Sequence, residues 1–305
     1  MQTPWGEAPV ADAHIHFFSH AFLANLAEQG GKTLDAVGAL LGWEMPPAPP
    51  EALTDRWAAE LERHGVKRAA LIASMHGDEA SVAAALARHP DRFYGYFMLN
   101  PLAPDALERT REALAGGLRG ICLFPAMHRY SVADERVRPV LEMARPGTVV
   151  FVHCGVLTVG ARNKLGLASL FDLRFSNPID LHAVALGHPR VNFVIPHFGA
   201  GYFRETLMLC DLCPNVYLDT SSSNGWMRYQ PEDLDLRQVF RRALEVAGPR
   251  RLLFGTDSSF FPRGWHRAIF EAQTRALYEL GVNAADARLV LGGNLERLLE
   301  QARPS

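Results

Sequence analysis

Thr148-Val149-Val150-Phe151-Val152-His153 is an almost wholly apolar run that ends in a histidine. Continuous apolar character over this length is typical of a strand that is covered on both faces, as in a parallel sheet. Asn192-Phe193-Val194-Ile195 repeats the pattern and leads into a second histidine, His197. Comparable runs along the chain complete a set of eight predicted strands at residues 10–15, 68–73, 93–98, 118–123, 148–153, 191–196, 216–219 and 252–255.

Amphipathic helical patterns lie between these runs. Thr54 is predicted to cap a helix that ends at Gly65, and Asp134 to cap one that ends before Pro146. Further helices are predicted at residues 78–90, 106–114, 178–186 and 236–247. Parallel strands need such crossovers. The alternation over 1–305 therefore predicts a single α/β domain, a distorted TIM (β/α)₈ barrel, with loop insertions at its C-terminal face.

Three stretches are too long for ordinary loops, and all follow the carboxyl end of a predicted strand. They are residues 17–50, 155–177 and 221–235. Barrel enzymes build their active sites on this face. A doubly wound open sheet is the alternative fold, but no glycine-rich dinucleotide motif follows the first strand.

The composition excludes several classes of protein. Of the 305 residues, 48% are hydrophobic and 21% charged, with a net charge of −2, so a disordered, collagen-like or coiled-coil chain is excluded. The near-zero charge gives no reason to expect nucleic acid or a membrane surface as a partner. Four cysteines are too few for a disulfide framework. Without a basic and apolar leader, the expected location is cytoplasmic.

Metal-competent side chains end four of the predicted strands. His14 and His16 are two apart on the first strand, so both are expected to face the barrel axis; alone, the pair is equally typical of a solvated strand end. His153, His197 and Asp257 directly follow strands 5, 6 and 8. Because strand ends of a barrel share one mouth, the five residues predict a metal site. Imidazole and carboxylate suit Zn²⁺, Mn²⁺, Fe²⁺ or Co²⁺, and spacing does not choose among them.

These stretches resemble the amidohydrolase superfamily, in its amidohydrolase-related branch that includes aminocarboxymuconate-semialdehyde decarboxylase. The resemblance covers nearly the whole chain in order. Its parts are Asp12-Ala13-His14-Ile15-His16, His153, Pro196-His197-Phe198-Gly199-Ala200-Gly201, Tyr217-Leu218-Asp219-Thr220-Ser221, Leu253-Phe254-Gly255-Thr256-Asp257 and Gly292-Gly293-Asn294-Leu295-Glu296-Arg297-Leu298-Leu299.

The resemblance implies one divalent metal ion, Zn²⁺ by preference, held by His14, His16, His153 and Asp257. His197 would then act on the metal-bound water or the substrate, and either His197 or Asp257 would take the proton.

Residue 122 bears on the number of metal ions. Many relatives carry at the end of strand 4 a carboxylated lysine that bridges two metals, and this chain has Cys122 there. Cysteine cannot form the carbamate, so a single metal is expected. Cys122 itself is interpreted as a small core residue, with a thiolate ligand as the alternative.

Substrate contacts are expected from the loops. Arg129 follows strand 4, Arg162 follows strand 5 and Arg263 follows strand 8, where a guanidinium group can grip a carboxylate. Trp226 is a candidate substrate contact in the last insertion. Four aromatic residues could wall an apolar pocket, with packing inside the loops as the equal alternative: Phe17, Phe18, Trp226 and Phe260.

The predicted function is a metal-dependent hydrolase in which metal-activated water attacks a small amide, ester or lactone. The alternatives are a non-oxidative decarboxylase or other lyase acting on a small cyclic or unsaturated carboxylic acid, and a non-catalytic metal-binding barrel. The motif does not separate hydrolysis from decarboxylation, because both reactions need the same five residues. The expected partner is a small-molecule substrate; a homodimer stays open, since related barrels often dimerise.

Overall fold

The computed structural model describes residues 1–157, 159–221 and 224–300. Its central feature is a sheet of eight strands in which each pairs in parallel with the next along the chain. In order they are β1 (Ala11–Phe17), β2 (Arg68–Ala73), β3 (Phe93–Leu99), β4 (Gly120–Leu123), β5 (Val149–Val152), β6 (Asn192–Ile195), β7 (Val216–Asp219) and β8 (Leu252–Leu253). A short antiparallel hairpin precedes them, formed by Gln2–Thr3 and Gly6–Glu7.

The barrel closes where β1 meets the chain that follows β8. Ala13 N donates to Phe254 O and His16 N to Ser258 O, both at 2.8 Å, and Asp257 N donates to His14 O at 3.0 Å. The register of β1 against β2 shifts between Asp12 and Ile15. The predicted distorted TIM barrel is therefore confirmed, and its irregular seam lies beside the predicted site.

The strand ends differ slightly from the prediction. β7 occupies the predicted residues, whereas β8 ends at Leu253, two residues early. Phe254 N donates to Val290 O instead of to β7, so tertiary contacts end the ladder. β1 extends to Phe17, two residues further than predicted.

Helices surround the barrel, and two predicted starts are wrong. The helix expected at Thr54 begins at Pro50, whose fixed φ suits a first turn, and Thr54 lies inside it. The helix expected at Asp134 begins at Arg138. The helices are His20–Gln29, Leu34–Leu41, Pro50–His64, Glu79–Arg88, Ala106–Ala115, Pro125–His128, Arg138–Met143, Gly160–Lys164, His182–Gly187, Phe203–Leu212, Leu236–Val246, Arg267–Glu279, Ala284–Arg288 and Asn294–Glu300.

Short irregular turns link several of these elements. The 3₁₀ turns are Leu173–Phe175, Pro178–Leu181, Pro196–Gly199, Asn224–Tyr229 and Pro249–Arg251, and Leu289–Gly293 is a π turn. The first half of the helix predicted at residues 178–186 is one of these 3₁₀ turns, since Pro178 starts it and the α-helix follows from His182.

The barrel interior is filled by side chains. Tyr96 and Phe151 pack there with their rings 5.0 Å apart. Gly120 makes room for this packing, because a Cβ at that position would lie 2.0 Å from Cδ1 of Tyr96. Cys122 is fully buried in the same layer, as the core interpretation expected, whereas Cys154 packs in the outer layer between strands and helices.

The first two insertions pack together above the barrel mouth. Helices His20–Gln29 and Leu34–Leu41 belong to the first, and Gly160–Lys164 to the second. Their contact is a small separate core of Phe22, Leu23, Leu26, Ala27, Val37, Leu41, Ala161 and Leu165. We call these three helices the cap. Ser222 and Ser223 of the third insertion lie outside the described residues. No helix in the described ranges has the length and apolar character to cross a membrane.

Candidate metal centre

The two histidines of β1 point into the barrel mouth. Their Nε2 atoms are 3.4 Å apart, and Ile15 between them packs on the helical side. Asp257 approaches from the seam: its Oδ1 lies 3.3 Å from Nε2 of His16 and 3.8 Å from Nε2 of His14. These three side chains can offer ligand atoms that all lie within 4.8 Å of one another.

His14 also belongs to a second such group, with His153 and His197. His153 is buried against Phe124, with ring centroids 3.8 Å apart. Neither of its ring nitrogens has a hydrogen-bond partner among the described residues. Burying two nitrogens without partners is costly unless something else satisfies them. The structure thus brings all five predicted residues together around His14, and a cation would satisfy one of the two nitrogens of His153.

Two of the five residues have a strained backbone conformation. His197 has φ 57° and Asp257 has φ 59°, in the left-handed region. That conformation costs a non-glycine residue about 1–3 kcal/mol and is held by the surrounding structure at functional sites. Both residues lie just beyond their strands, where the turn redirects the side chain toward the centre.

Hydrogen bonds set the ring orientations of two histidines. Ser74 Oγ donates to Ile72 O at 3.0 Å, so it accepts from Nδ1 of His16 at 2.7 Å. His197 lies with Nδ1 3.1 Å from Ser221 O, and a carbonyl oxygen can only accept. Each ring therefore carries its proton on Nδ1 and leaves the Nε2 lone pair for a ligand, because each neutral imidazole has one donor nitrogen.

Asp219, at the end of β7, fixes the ring orientation of His14 and keeps its proton on Nδ1. Its Oδ2 lies 2.5 Å from Nδ1 of His14, and both side chains are fully buried. Ser221 completes the network: its Oγ donates to Asp219 Oδ2 at 2.9 Å and lies within 3.1 Å of Nδ1 of both His14 and His197. A carboxylate behind a ligating histidine fixes its tautomer and raises its basicity.

Gly255 permits this close approach. A Cβ there would lie 2.6 Å from Asp219 Oδ1 and 3.0 Å from Cβ of His14. Asp219 lies inside the Tyr217–Ser221 motif, and the sequence predicted no role for it. The sequence did contain a signal for such a role, because Asp219 is an ionisable residue at the end of a predicted strand, as His153 is.

The protonation preferences of four of the five residues suit a ligand set, whereas that of His14 favours the charged ring. Burial would raise the pKa of Asp257, but the hydrogen bond with His16 and the nearby histidines hold it below its usual value. Burial lowers the pKa of His153 far below its usual value, and lowers those of His16 and His197 as well. For His14, Asp219 outweighs burial and raises the pKa. A charged carboxylate and neutral imidazoles are the forms that bind a metal.

The candidate centre lies in a cavity of about 1110 Å³ beneath the cap. Arg129, Arg162 and Trp226 all line it. Arg129 donates to Leu170 O, and Arg162 donates to Gln29 Oε1 and to Ala168 O, both at 2.7 Å. Hence the three predicted substrate contacts share one cavity with the histidines.

Arg263 lies differently from the other two arginines. Its Nη2 donates to the backbone oxygen of Asp257 at 3.2 Å and to Ser259 Oγ at 2.9 Å. It therefore supports the loop that carries Asp257 and is not among the residues that line the cavity.

A family model described as "Amidohydrolase" matches residues 11–301. The chain belongs to the amidohydrolase family. The matched residues include all five side chains of the candidate centre, so the resemblance inferred from the sequence motifs is confirmed at the level of the family.

Solved structures similar to this amidohydrolase share its fold. An uncharacterized TIM-barrel protein from Bordetella bronchiseptica is 20% identical, with a TM-score of 0.66 over 96% of this chain and 99% of that one. A putative 2-pyrone-4,6-dicarboxylic acid hydrolase from Pseudomonas putida is 20% identical, with a TM-score of 0.60 over 98% and 100%. An amidohydrolase from Burkholderia multivorans with bound zinc is 17% identical, with a TM-score of 0.63 over 96% and 100%.

A curated relative matches only part of the chain. Protein fluG of Emericella nidulans is 34% identical over 87 residues, which are 28% of this chain and 10% of that protein. This amidohydrolase therefore matches about a tenth of the length of that relative.

Proposed function

We propose that this amidohydrolase is a metal-dependent hydrolase that acts on a small amide, ester or lactone bearing a carboxylate. The observation that carries the proposal is His153, whose two buried nitrogens have no partner in the described ranges although His14 and His197 each offer a ligand atom within 4.8 Å of it. The zinc-bound relative of the same fold supports Zn²⁺ as the ion.

His14, His16, His153 and Asp257 would hold one divalent ion. Nitrogen and carboxylate donors are the set that Zn²⁺ accepts. A divalent ion bound there supplies Lewis-acid chemistry, polarising a carbonyl oxygen and lowering the pKa of water to roughly 7. The single-metal proposal is supported by Cys122, which is buried in the barrel interior and belongs to neither ligand group of the described residues.

We infer that His197 moves the proton. Its Nδ1 is engaged by Ser221, so Nε2 is the atom that can accept a proton from water and return it to the leaving group. Because burial lowers the pKa of His197, the ring is neutral before the reaction and able to act as a base.

The cavity is lined by cations. Arg129, Arg162, Lys164 and Arg228 line it, and among the described residues only Arg129 acts on a carboxylate, that of Asp172, without a direct salt bridge. Among the described lining residues, Asp257 alone carries a carboxylate, and it lies at the metal centre. An excess of cations around a concave site favours an anionic substrate, so the substrate is expected to carry a carboxylate.

The test is an assay of the purified protein, with its metal content measured by elemental analysis. A panel of lactones, amides and aromatic carboxylates is monitored for acid release and for CO₂. We expect about one metal ion per chain and acid release without CO₂. His197→Ala should keep the metal and lose turnover, His153→Ala should lose both, and His182→Ala, on the outer helical layer, should lose neither.

Two outcomes would contradict the proposal. Release of CO₂ in place of acid would replace the hydrolase with the carboxy-lyase alternative. Metal loss in His197→Ala would make His197 a ligand and refute its role as the proton carrier.

A further inference from the structure

Four aromatic side chains of the cavity stack into one array. Phe18 lies 4.4 Å from Phe22 and 5.5 Å from Trp43, and Trp43 lies 4.4 Å from Phe260, measured between ring centroids. The interplanar angles are between 13° and 19°. We call these four residues the aromatic wall. Phe18, Phe22 and Trp43 belong to the insertion after β1, and Phe260 follows β8.

The wall is only partly covered by the protein. Phe22 is buried in the core of the cap, whereas Phe18, Trp43 and Phe260 are half-buried. All four line the cavity that holds the candidate centre. A concave apolar surface next to a few polar groups is typical of a small-molecule site. Burying an aromatic partner against it would remove this apolar surface from water.

The wall starts at the metal centre. Phe18 stacks on His16 with ring centroids 5.5 Å apart, so a group lying along the wall is next to a candidate ligand. In an eight-stranded barrel the loops after β4 and β5 are opposite those after β8 and β1. Arg129 follows β4 and lines the same cavity, so a cation lies on the side of the mouth opposite the loops after β8 and β1.

We propose that the aromatic wall is the subsite for a planar aromatic ring of the substrate, whose carboxylate is directed toward the side of Arg129. This inference rests on the proposed function and narrows its substrate class to aromatic esters, lactones or amides that carry a carboxylate. The faces of these rings are covered by one another, by His16 and by Arg263, so the substrate ring packs its face against their edges, in the edge-to-face geometry that aromatic pairs favour.

Binding of two matched dianions tests the subsite without turnover. Terephthalate and trans-cyclohexane-1,4-dicarboxylate have the same charge and similar length but differ in aromaticity. Each is titrated into the metal-loaded protein by calorimetry. We expect terephthalate to bind roughly tenfold more tightly, since a favourable aromatic contact contributes about a factor of ten.

Variants of the aromatic wall test whether it causes the preference for terephthalate. Trp43→Leu and Phe260→Leu should each bring the two dissociation constants to within about twofold, and Trp43→Phe should keep the preference. Tyr278→Leu is the matched control, because Tyr278 is a half-exposed aromatic residue that makes an edge-to-face contact with Trp5 outside this cavity. Circular dichroism and Tm show that each variant folds.

The binding ratio separates this inference from the hydrolase proposal. Equal affinity for both acids in the unmodified protein, no binding of either, or a preference that survives in both leucine variants would overturn the subsite. In the last case the rings of the aromatic wall would stabilise the cap and would not bind the substrate. Failure of the hydrolase proposal appears instead as absent acid release in the panel, which the titration does not measure.

Discussion

Asp219→Asn should weaken metal binding without unfolding the barrel. Asp219 accepts from Nδ1 of His14 at 2.5 Å, from Ser221 N at 2.6 Å and from Ser221 Oγ at 2.9 Å. An asparagine that keeps its oxygen on Ser221 N turns its NH₂ group toward His14. Two donors then face each other, and His14 relieves the conflict by moving its proton to Nε2, the nitrogen that the metal needs.

The size of the effect follows from this geometry. Loss of the partner behind a ligating histidine typically costs 10- to 100-fold in metal affinity, which corresponds to about 1.4–2.8 kcal/mol. We expect the upper end of this range, because His14 and Asp219 are both fully buried and water cannot replace the carboxylate.

The assay is competition for Zn²⁺ against a chromophoric chelator, with the metal-free proteins compared by urea unfolding. Asp78→Asn is the matched control: Asp78 is also a buried aspartate, but its carboxylate accepts from Ser19 and Ser81, away from the centre. It should lower stability and leave zinc affinity unchanged. Zinc affinity of Asp219→Asn within twofold of the unmodified protein would refute the reasoning.

Two further predictions concern the metal-free protein. His153→Leu should abolish metal binding yet raise the stability of the metal-free protein by about 1–3 kcal/mol, since it removes two unpartnered buried nitrogens; thermal unfolding checks this, and a lower Tm would contradict it. Burial raises the pKa of Asp12 to about 6 from 3.8, so the folded state binds the extra proton and the free energy of unfolding should fall as pH rises from 4 to 6. The loss is up to about 3 kcal/mol and should be absent in Asp12→Asn; identical pH profiles in urea unfolding would exclude it.

Local pattern was sufficient for the barrel. The apolar run at β5 and the helical stretches between strands follow from neighbouring residues, and alternation along β1 correctly placed His14 and His16 on one face. The boundaries were less secure. Thr54 carries a capping residue's chemistry, yet Pro50 starts the helix, because a proline at the first turn needs no partner for a backbone N–H.

The cap could not be predicted from local sequence patterns. Residues 17–50 were identified as an insertion, but their helices His20–Gln29 and Leu34–Leu41 bury their apolar faces against Ala161 and Leu165, far away in sequence. Similarly, Phe18 and Phe260 were candidates for a pocket wall, and only the fold shows that Trp43 stacks between them.

The sequence alone determined the apolar runs that form the strands and the metal-competent residues at or just after them, and therefore which side chains share the barrel mouth. Tertiary structure alone decided how they face one another: the carboxylate of Asp219 behind His14, the left-handed turns at His197 and Asp257, and the two nitrogens of His153 left without partners in the described chain. The physical reason is distance along the chain. Strand periodicity depends on adjacent residues, whereas His14 and Asp219 are 205 positions apart and meet only because the barrel closes.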